Sequence, residues 1–252
     1  MQALSDSSTG PVDMGECPIC GQAGGELVWD GRELEGSRRW VRCAECRTAR
    51  DIEPAPASRP VGEPLDLHAA ILAADELISR LQGVGYGESW LARSPARPML
   101  LEYGSGNGSM LSAADWRGFE PVGVEPDPER AALARGRLGV LVFEQLAAVP
   151  VMPTDVVVVD RLSRYDNPVA LLTSLVSRLV VGGLVVITLP LLDHPLHRAS
   201  GQMNPLWCTD EHALLFERTG LSRLLLRAGL LPECSWHHPS RPGEAVIVAR
   251  RA

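Results

Sequence analysis

Residues Leu100–Leu111 read LLEYGSGNGSML. An apolar run from Met99 ends in the acid Glu102, and glycines follow at 104, 106 and 108, each separated by one residue. This is the order of a strand, a tight turn and a helix. Glycine allows positive φ and lets the backbone come close to a ligand. The helix that follows points its free N–H groups back into the turn. A glycine-rich turn alone is a weak signal, so the flanking sequence has to decide.

The next stretch, EPVGVEPD over Glu120–Asp127, reads as a second strand ending in Glu125. In doubly wound folds an acid at that place receives the ribose hydroxyls of a nucleotide-like cofactor. GVLVF is a further strand ending at Phe143, just before Glu144 and Gln145. TDVVVVDRL, from Thr154, is a continuous apolar strand, as expected where helices cover both faces. A helix is predicted over Pro168–Leu179, a turn at Gly182–Gly183, and another strand in LVVITLPL. Alternating strands and helices define an α/β fold with a mostly parallel, doubly wound sheet.

Two cofactor classes compete for the glycines. A nicotinamide dinucleotide fold prefers G-x-G-x-x-G. Here the spacing is G-x-G-x-G, with Glu102 two residues ahead of Gly104. The acid-x-G-x-G-x-G pattern resembles the first motif of class I, Rossmann-like S-adenosylmethionine-dependent methyltransferases. The resemblance continues through Glu125, DVVVVDRLSRYDNP and VVGGLVVITLP, and covers about Met99 to Ala252. WCTDEHALLFERTGLSRLLLRAGL is similar to the segment of small-molecule and sugar methyltransferases in which an aromatic residue and a His precede a helix ending LLxxAGF. Trp207, His212 and Phe216 stand in the matching places. Some sugar C-methyltransferases also carry an N-terminal zinc module.

The resemblance implies a seven-stranded sheet and a set of contacts. Glu102 and the backbone from Tyr103 through Gly104, Ser105 and Gly106 to Gly108 would meet the methionine portion of the cofactor. Glu125 would accept the ribose hydroxyls, with Pro126 and Asp127 on the adenine side. Glu144, Gln145 or Leu146 would sit beside the adenine, and Asp160 to Arg164 under the sulfonium. Many relatives have a Glu-His pair after the fourth strand. Here Ser163 and Arg164 stand in that place, followed by Tyr165, so the relatives' base and acceptor do not transfer directly.

An oxygen or carbon acceptor needs a base to remove its proton. PLLDHPLHRASGQMNPLW supplies candidates at the carboxyl edge of the sheet: His194 and His197, beside Asp193. Tyr165 and Arg164 are candidate acceptor contacts, and Arg164 or Arg198 could grip an anionic group. His212 is a weaker candidate. His237 and His238 precede a hairpin turn at Ser240–Gly243 and read as structural or exposed. Trp207 and Trp236 suit core packing better than stacking on a substrate.

The N-terminal region carries a different chemistry. Four of the 6 Cys form two Cys-x-x-Cys pairs, Cys17 with Cys20 and Cys43 with Cys46. Without a secretory signal this spacing points to metal before disulfide. Two such knuckles supply a closed tetrahedral thiolate shell for structural zinc. Two short strands with a turn near Gly36 fit between them, so residues 15–50 read as a zinc ribbon. Residues 1–14 read as a disordered N-terminus and 51–64 as a Pro-rich linker. The methyltransferase domain would span 65–252. It would open with a helix over Leu65–Gln82, where Leu67, Ile71, Ala74, Ile78 and Leu81 follow helical spacing.

Composition bounds the function. Of 252 residues, 45% are hydrophobic and 22% charged, which is ordinary for a globular chain. The net charge of −7 speaks against bulk nucleic-acid binding but leaves room for a local basic patch. The apolar runs are too short to span a bilayer, so a cytoplasmic protein without membrane contact is expected. Two further functions compete with small-molecule methyl transfer. One is RNA methylation, with Trp40 among Arg38, Arg39, Arg42, Arg47 and Arg50 holding a single strand. The other is a cofactor-binding pseudoenzyme that serves as a scaffold. Oligomeric state is left open.

Overall fold

The structure is a computed structural model that describes residues 11–31, 38–53, 67–82 and 97–252. Contacts divide the chain into two compact units, one of Val61–Leu162, Ala170–Leu189 and Ala228–Ala252, the other of Met1–Pro60, Ser163–Val169 and Pro190–Arg227.

The strands are numbered through the whole chain. The first unit named holds β5 (Met99–Tyr103), β6 (Glu120–Val124), β7 (Leu141–Phe143), β8 (Thr154–Val159), β9 (Leu179–Pro190), β11 (Leu230–His237) and β12 (Glu244–Arg251). They form one sheet in the order β11-β12-β9-β8-β5-β6-β7. β5 to β9 pair in parallel, and β11 pairs β12 antiparallel. The sheet is therefore seven-stranded and mostly parallel, as the alternation predicts. The side chains of Val156–Val159 are all buried, which is why that strand reads as an unbroken apolar run.

The helices of this unit follow their sequence signals. α1 (Leu67–Leu81) buries Ala74, Leu77, Ile78 and Leu81 in the same core as Leu111, Ala113 and Ala114 of α2 (Ser109–Trp116). α3 (Pro128–Leu138) starts where Asp127 accepts from the Glu129 and Arg130 N–H groups, with Pro128 at its first position. It stops at Gly139, which takes φ 65°.

One boundary differs from expectation. The helix α4 (Pro168–Val176) ends before Leu179, and Leu179 already belongs to β9. Gly182 and Gly183 lie inside that strand rather than in a turn. The β8–β9 register jumps from Thr154↔Leu179 to Val156↔Leu184, and Gly182 at φ 77° absorbs the extra length.

The other unit is built on a five-stranded sheet, ordered β1-β2-β3-β4-β10. Its strands are β1 (Pro11–Glu16), β2 (Ala23–Asp30), β3 (Arg39–Cys43), β4 (Ala49–Asp51) and β10 (Leu214–Leu215). Two expected limits move. β1 begins at Pro11, inside the stretch read as disordered. The cysteine-bearing strands also do not close on themselves at residue 50, because β10 pairs β4 through Leu214↔Arg50 and Leu215↔Ala49. The turn near Gly36 and residues 54–64 of the Pro-rich linker lie outside the described residues.

Side chains explain why residues 190–227 join this unit. Trp40 is fully buried and donates its indole N–H to the Trp207 carbonyl at 2.9 Å. Trp29, Leu206 and Leu215 complete that cluster. Arg38, only 4% exposed, pairs with Asp51 and Asp210. α5 (Pro195–Ser200) and α6 (Arg218–Arg227) complete the helices.

α6 meets the second cysteine knuckle at a glycine. A Cβ on Gly220 would lie 2.2 Å from Thr48 Oγ1 and 2.8 Å from the Cys46 carbonyl oxygen. Alanine favours helix over glycine by about 1 kcal/mol. Overpacking against backbone typically costs about 1–3 kcal/mol. Gly220→Ala is therefore expected to lower the thermal midpoint despite its better helix propensity. A midpoint raised by the substitution would mean that α6 can move off the knuckle freely.

Candidate functional site

The turn after β5 is held by its own backbone and by one acid. The Gly104 and Ser105 N–H groups both donate to the Val124 carbonyl, at 2.8 and 3.1 Å. Gly106 donates to Glu125 Oε2 at 2.7 Å, and Asp127 N donates to Glu125 Oε1 at 3.0 Å. Glu125 is 5% exposed, so these bonds fix it where β6 ends. Gly104, Gly106 and Gly108 all take positive φ, at 80°, 55° and 80°, which side-chain-bearing residues rarely adopt. Each carboxylate oxygen can accept more than one bond, so Glu125 keeps capacity for hydroxyl donors.

Beside the turn lie polar atoms without partners. Glu102 is 4% exposed and, among the described residues, its Oε2 has no hydrogen-bond partner; the Ser105 hydroxyl is likewise buried and unpartnered among them. Burial holds the Glu102 carboxyl well above the usual range, and the charges of Asp160 and Glu125 push the same way. Orphaned buried polar groups cost free energy. A ligand bringing a cation and a polar group to this place would relieve that cost, and the donor set therefore fits the amino-acid end and ribose of S-adenosylmethionine.

The remaining expected cofactor residues are placed differently. Tyr103 ends β5, half-buried, and Pro126 follows Glu125. Gln145 is exposed and precedes a short 3₁₀ turn at Leu146–Ala148. Asp160 is half-buried and engaged by its neighbours: Thr188 Oγ1 donates to its Oδ1 at 2.5 Å and Arg241 grips both oxygens. Burial raises its carboxyl, but Arg241 and Thr188 outweigh that and hold it below the usual range. Arg241, Thr188 and His238 were missed. His238, read as structural or exposed, is half-buried and lies 2.7 Å from Arg241 Nη2 through its Nε2. Burial and the Arg241 charge pull its pKa down to about 4. The available signal was an arginine in a hairpin turn at the ligand-binding edge.

The expected acceptor-side residues all belong to the unit of the cysteine strands. His194 is buried and its Nδ1 accepts from Leu196 N at 3.2 Å, capping α5. That bond occupies one of the two nitrogens a base would use. The His197 ring lies 5.9 Å from that of His194, edge to face. Asp193 stands 3.9 Å from Arg218. Arg164 pairs with Glu211 at 3.0 Å, and Tyr165 is half-buried beside it in sequence. Ser163 Oγ lies 2.9 Å from His212 Nδ1, both side chains buried, and Ala213 N donates to the Ser163 carbonyl. The two residues that stand where relatives carry Glu-His thus pin this loop to residues 211–213.

The four expected metal ligands converge. One Sγ each from Cys17, Cys20, Cys43 and Cys46 lies within 4.8 Å of the others, with Cys17–Cys46 at 3.5 Å and Cys20–Cys43 at 3.6 Å. Four thiolates at about 2.3 Å from a tetrahedral zinc would stand about 3.8 Å apart, so the set fits that ion. Both knuckles close with a left-handed residue, Gly21 at φ 76° and Arg47 at φ 63°, whose N–H groups return to Cys17 and Cys43. The hydrogen bond from Cys17 draws Cys46 down to about 4, while that bond and burial push Cys17 up.

A doubly wound sheet with a glycine turn, an acid after the next strand and unpartnered polar atoms between them defines a nucleotide-type cofactor site. Residues 72–234 match the family model described as a methyltransferase domain, and the chain belongs to that family. No curated protein sequence matches the chain. Magnesium protoporphyrin IX methyltransferase (ChlM) from Synechocystis PCC 6803, with bound SAH, is similar in structure at a TM-score of 0.56 and 12% identity, covering 77% of this chain and 90% of that one. The mitomycin 7-O-methyltransferase MmcR is similar at 0.53 and 16%, covering 73% of this chain and 54% of that one, about half its length. A possible histamine N-methyltransferase from Thermotoga maritima is similar at 0.52 and 19%, covering 74% and 91%. At these identities the likeness is one of fold. No helix among the described residues is long and apolar enough to cross a membrane.

Proposed function

We propose that the chain is a class I S-adenosylmethionine-dependent methyltransferase acting on a small-molecule acceptor, a nucleotide sugar or natural-product intermediate. The observation that carries this reading is the pairing of a Glu125-anchored glycine turn with the unpartnered, buried Glu102 Oε2 and Ser105 hydroxyl. When bound, the cofactor supplies a methyl group activated by a sulfonium, ready for in-line displacement. Glu102 would hold the cofactor's ammonium, Ser105 and the turn its amino-acid end, and Glu125 its ribose diol. Positioning of acceptor and methyl would supply much of the acceleration. His197 and His194 are the candidate bases, with Tyr165 and Arg164 as acceptor contacts.

The structural neighbours named above include methyltransferases of small molecules, mitomycin and magnesium protoporphyrin IX. The use of the basic residues also supports a small acceptor over RNA. Arg38 is buried between two aspartates, Arg42 and Arg47 pair with Glu26 and Glu217, and Trp40 is in the core. These groups are engaged within the fold rather than presented to a phosphate backbone. Zinc on the four cysteines would be structural, since four thiolates leave no open position. A thiolate site suits reducing surroundings, which favours the cytoplasm.

Calorimetric titration with S-adenosylmethionine, S-adenosylhomocysteine and NADH, with zinc quantified on the same sample, tests both parts. Micromolar binding of the sulfur ligands, none of NADH, and one zinc per chain are expected. NADH binding without either sulfur ligand would return the glycine turn to the dinucleotide class.

A further inference from the structure

Three acids stand in a row along the carboxyl edge of the sheet. β8, β5 and β6 are neighbours, and Tyr103 pairs with Val159 on one side and Val124 on the other. Asp160 and Glu125 each follow those partners by one residue, and Glu102 precedes Tyr103 between them. Arg130 stands 3.8 Å from Glu125 at one end of this row, and the cation at the Asp160 end comes from far along the chain. β11 and β12 pair from Leu230↔Arg251 to His237↔Ala245, and the connecting residues 238–243 carry Arg241. Its Nη2 donates to Asp160 Oδ1 at 2.7 Å and its Nη1 to Oδ2 at 3.3 Å. Nη2 also donates to Thr188 Oγ1 on β9 at 3.1 Å, and Nε lies 3.0 Å from Glu244. Glu244 is shared with Arg161, at 3.5 Å.

We propose that Arg241 is a positioning residue of the cofactor site: its pairing with Asp160 neutralises one acid of the row and leaves Glu102 as the group that takes the cofactor's ammonium. The proposal rests on the S-adenosylmethionine reading above. A bidentate guanidinium–carboxylate pair fixes both direction and charge. His238 accepts from the same guanidinium and stays neutral, so it adds no competing cation. The charged groups that face Glu102 are then Asp160 and Glu125, which resist its ionisation, and Arg241, which favours it.

The sign of the pH dependence follows. A bound ammonium favours ionised Glu102. Affinity therefore rises with pH up to the carboxyl's own raised value and levels off above it. Without Arg241 that value moves higher still, and the affinity profile shifts in the alkaline direction. Below the carboxyl's pKa, a shift of one pH unit corresponds to about a tenfold change in affinity.

The test is calorimetry of wild type, Arg241→Met and Arg241→Lys with S-adenosylhomocysteine and with 5′-methylthioadenosine, which lacks the amino-acid end. Readings between about pH 5 and 7.5 keep the ligand's amine protonated. Arg241→Met is expected to weaken S-adenosylhomocysteine about tenfold at the acid end, to shift its profile alkaline, and to leave 5′-methylthioadenosine unchanged. Arg241→Lys should restore most of the wild-type profile. Equal weakening of both ligands, or an unshifted profile, would overturn the proposal. If Arg241→Met fails to fold, Asp160→Asn carries the opposite expectation, a profile shifted toward acid, and an alkaline shift there would overturn it equally. Absence of any binding by wild type would instead count against the cofactor reading itself.

Discussion

Replacing Cys43 by Ser should strip metal from the cysteine cluster and loosen residues 190–227 together with the N-terminal strands. Cys43 ends β3 and is fully buried. Loss of one thiolate opens the tetrahedral shell, and structural zinc contributes on the order of 10–16 kcal/mol in small peptides at neutral pH. The downstream segment hangs on the knuckles themselves. Arg227 Nη1 donates to the carbonyl of Ile19, inside the first knuckle. Gly220 sits against the Cys46 carbonyl, inside the second. Glu217 pairs with Arg42 and Arg47, one on each side of that knuckle. β10 adds to β4, and Trp207 caps the Trp40 indole. Hydrogen exchange followed by mass spectrometry on wild type, chelated wild type and Cys43→Ser measures this directly. Amides of residues 17–51 and 190–227 should lose protection together, and those of β5, β6 and β8 should keep it. Loss confined to residues 17–51 would mean that the cysteine strands fold as an independent ribbon, as the spacing of the cysteines alone implied.

The contrast between the two units shows what a sequence can carry. β5, its glycine turn, Glu125 and β8 were legible because each rests on local requirements: positive φ at 104, 106 and 108, an acid at a strand end, an apolar run buried on both faces. The four cysteines were legible for the same reason, since two short knuckles define a thiolate shell by spacing. β10 was not. Two leucines at 214 and 215 have no periodicity of their own and become a strand only because β4 offers an edge. The place of Arg241 was equally hidden. Its partner Asp160 lies 81 residues away, and only the turn between β11 and β12 brings them together. His194 reads as a candidate base because histidine titrates near neutrality; that its Nδ1 also caps the start of α5 was not legible. Gly182 and Gly183 looked like a turn because glycine pairs usually are; the strand instead uses them as a bulge.

Glu125→Ala should abolish usable cofactor affinity while leaving the sheet folded. The carboxylate accepts from the Gly106 N–H and holds the Asp127 N–H as well. Removing it orphans the buried Gly106 donor, at about 1–3 kcal/mol, and releases the Asp127 donor, which is exposed to water. It also frees a turn whose central glycine sits at φ 55°, and it removes the acceptor for the ribose diol. An affinity loss of at least about 100-fold, or about 2.7 kcal/mol, is expected. Glu125→Gln keeps the size but turns an amide N–H₂ toward one of two N–H donors, so it should recover only part of the loss. The pattern across ligands separates this acid from Arg241. S-adenosylhomocysteine and 5′-methylthioadenosine share the ribose, so both should weaken in Glu125→Ala, the first with a profile also shifted toward acid because Glu125 resists ionisation of Glu102, whereas Arg241→Met should affect only the first. Calorimetry of the two ligands against both variants, with thermal melting to verify folding, reads the difference. If Glu125→Ala kept its affinity for 5′-methylthioadenosine, the ribose would have to be held elsewhere, and the glycine turn would owe its shape to Glu125 without owing it the cofactor.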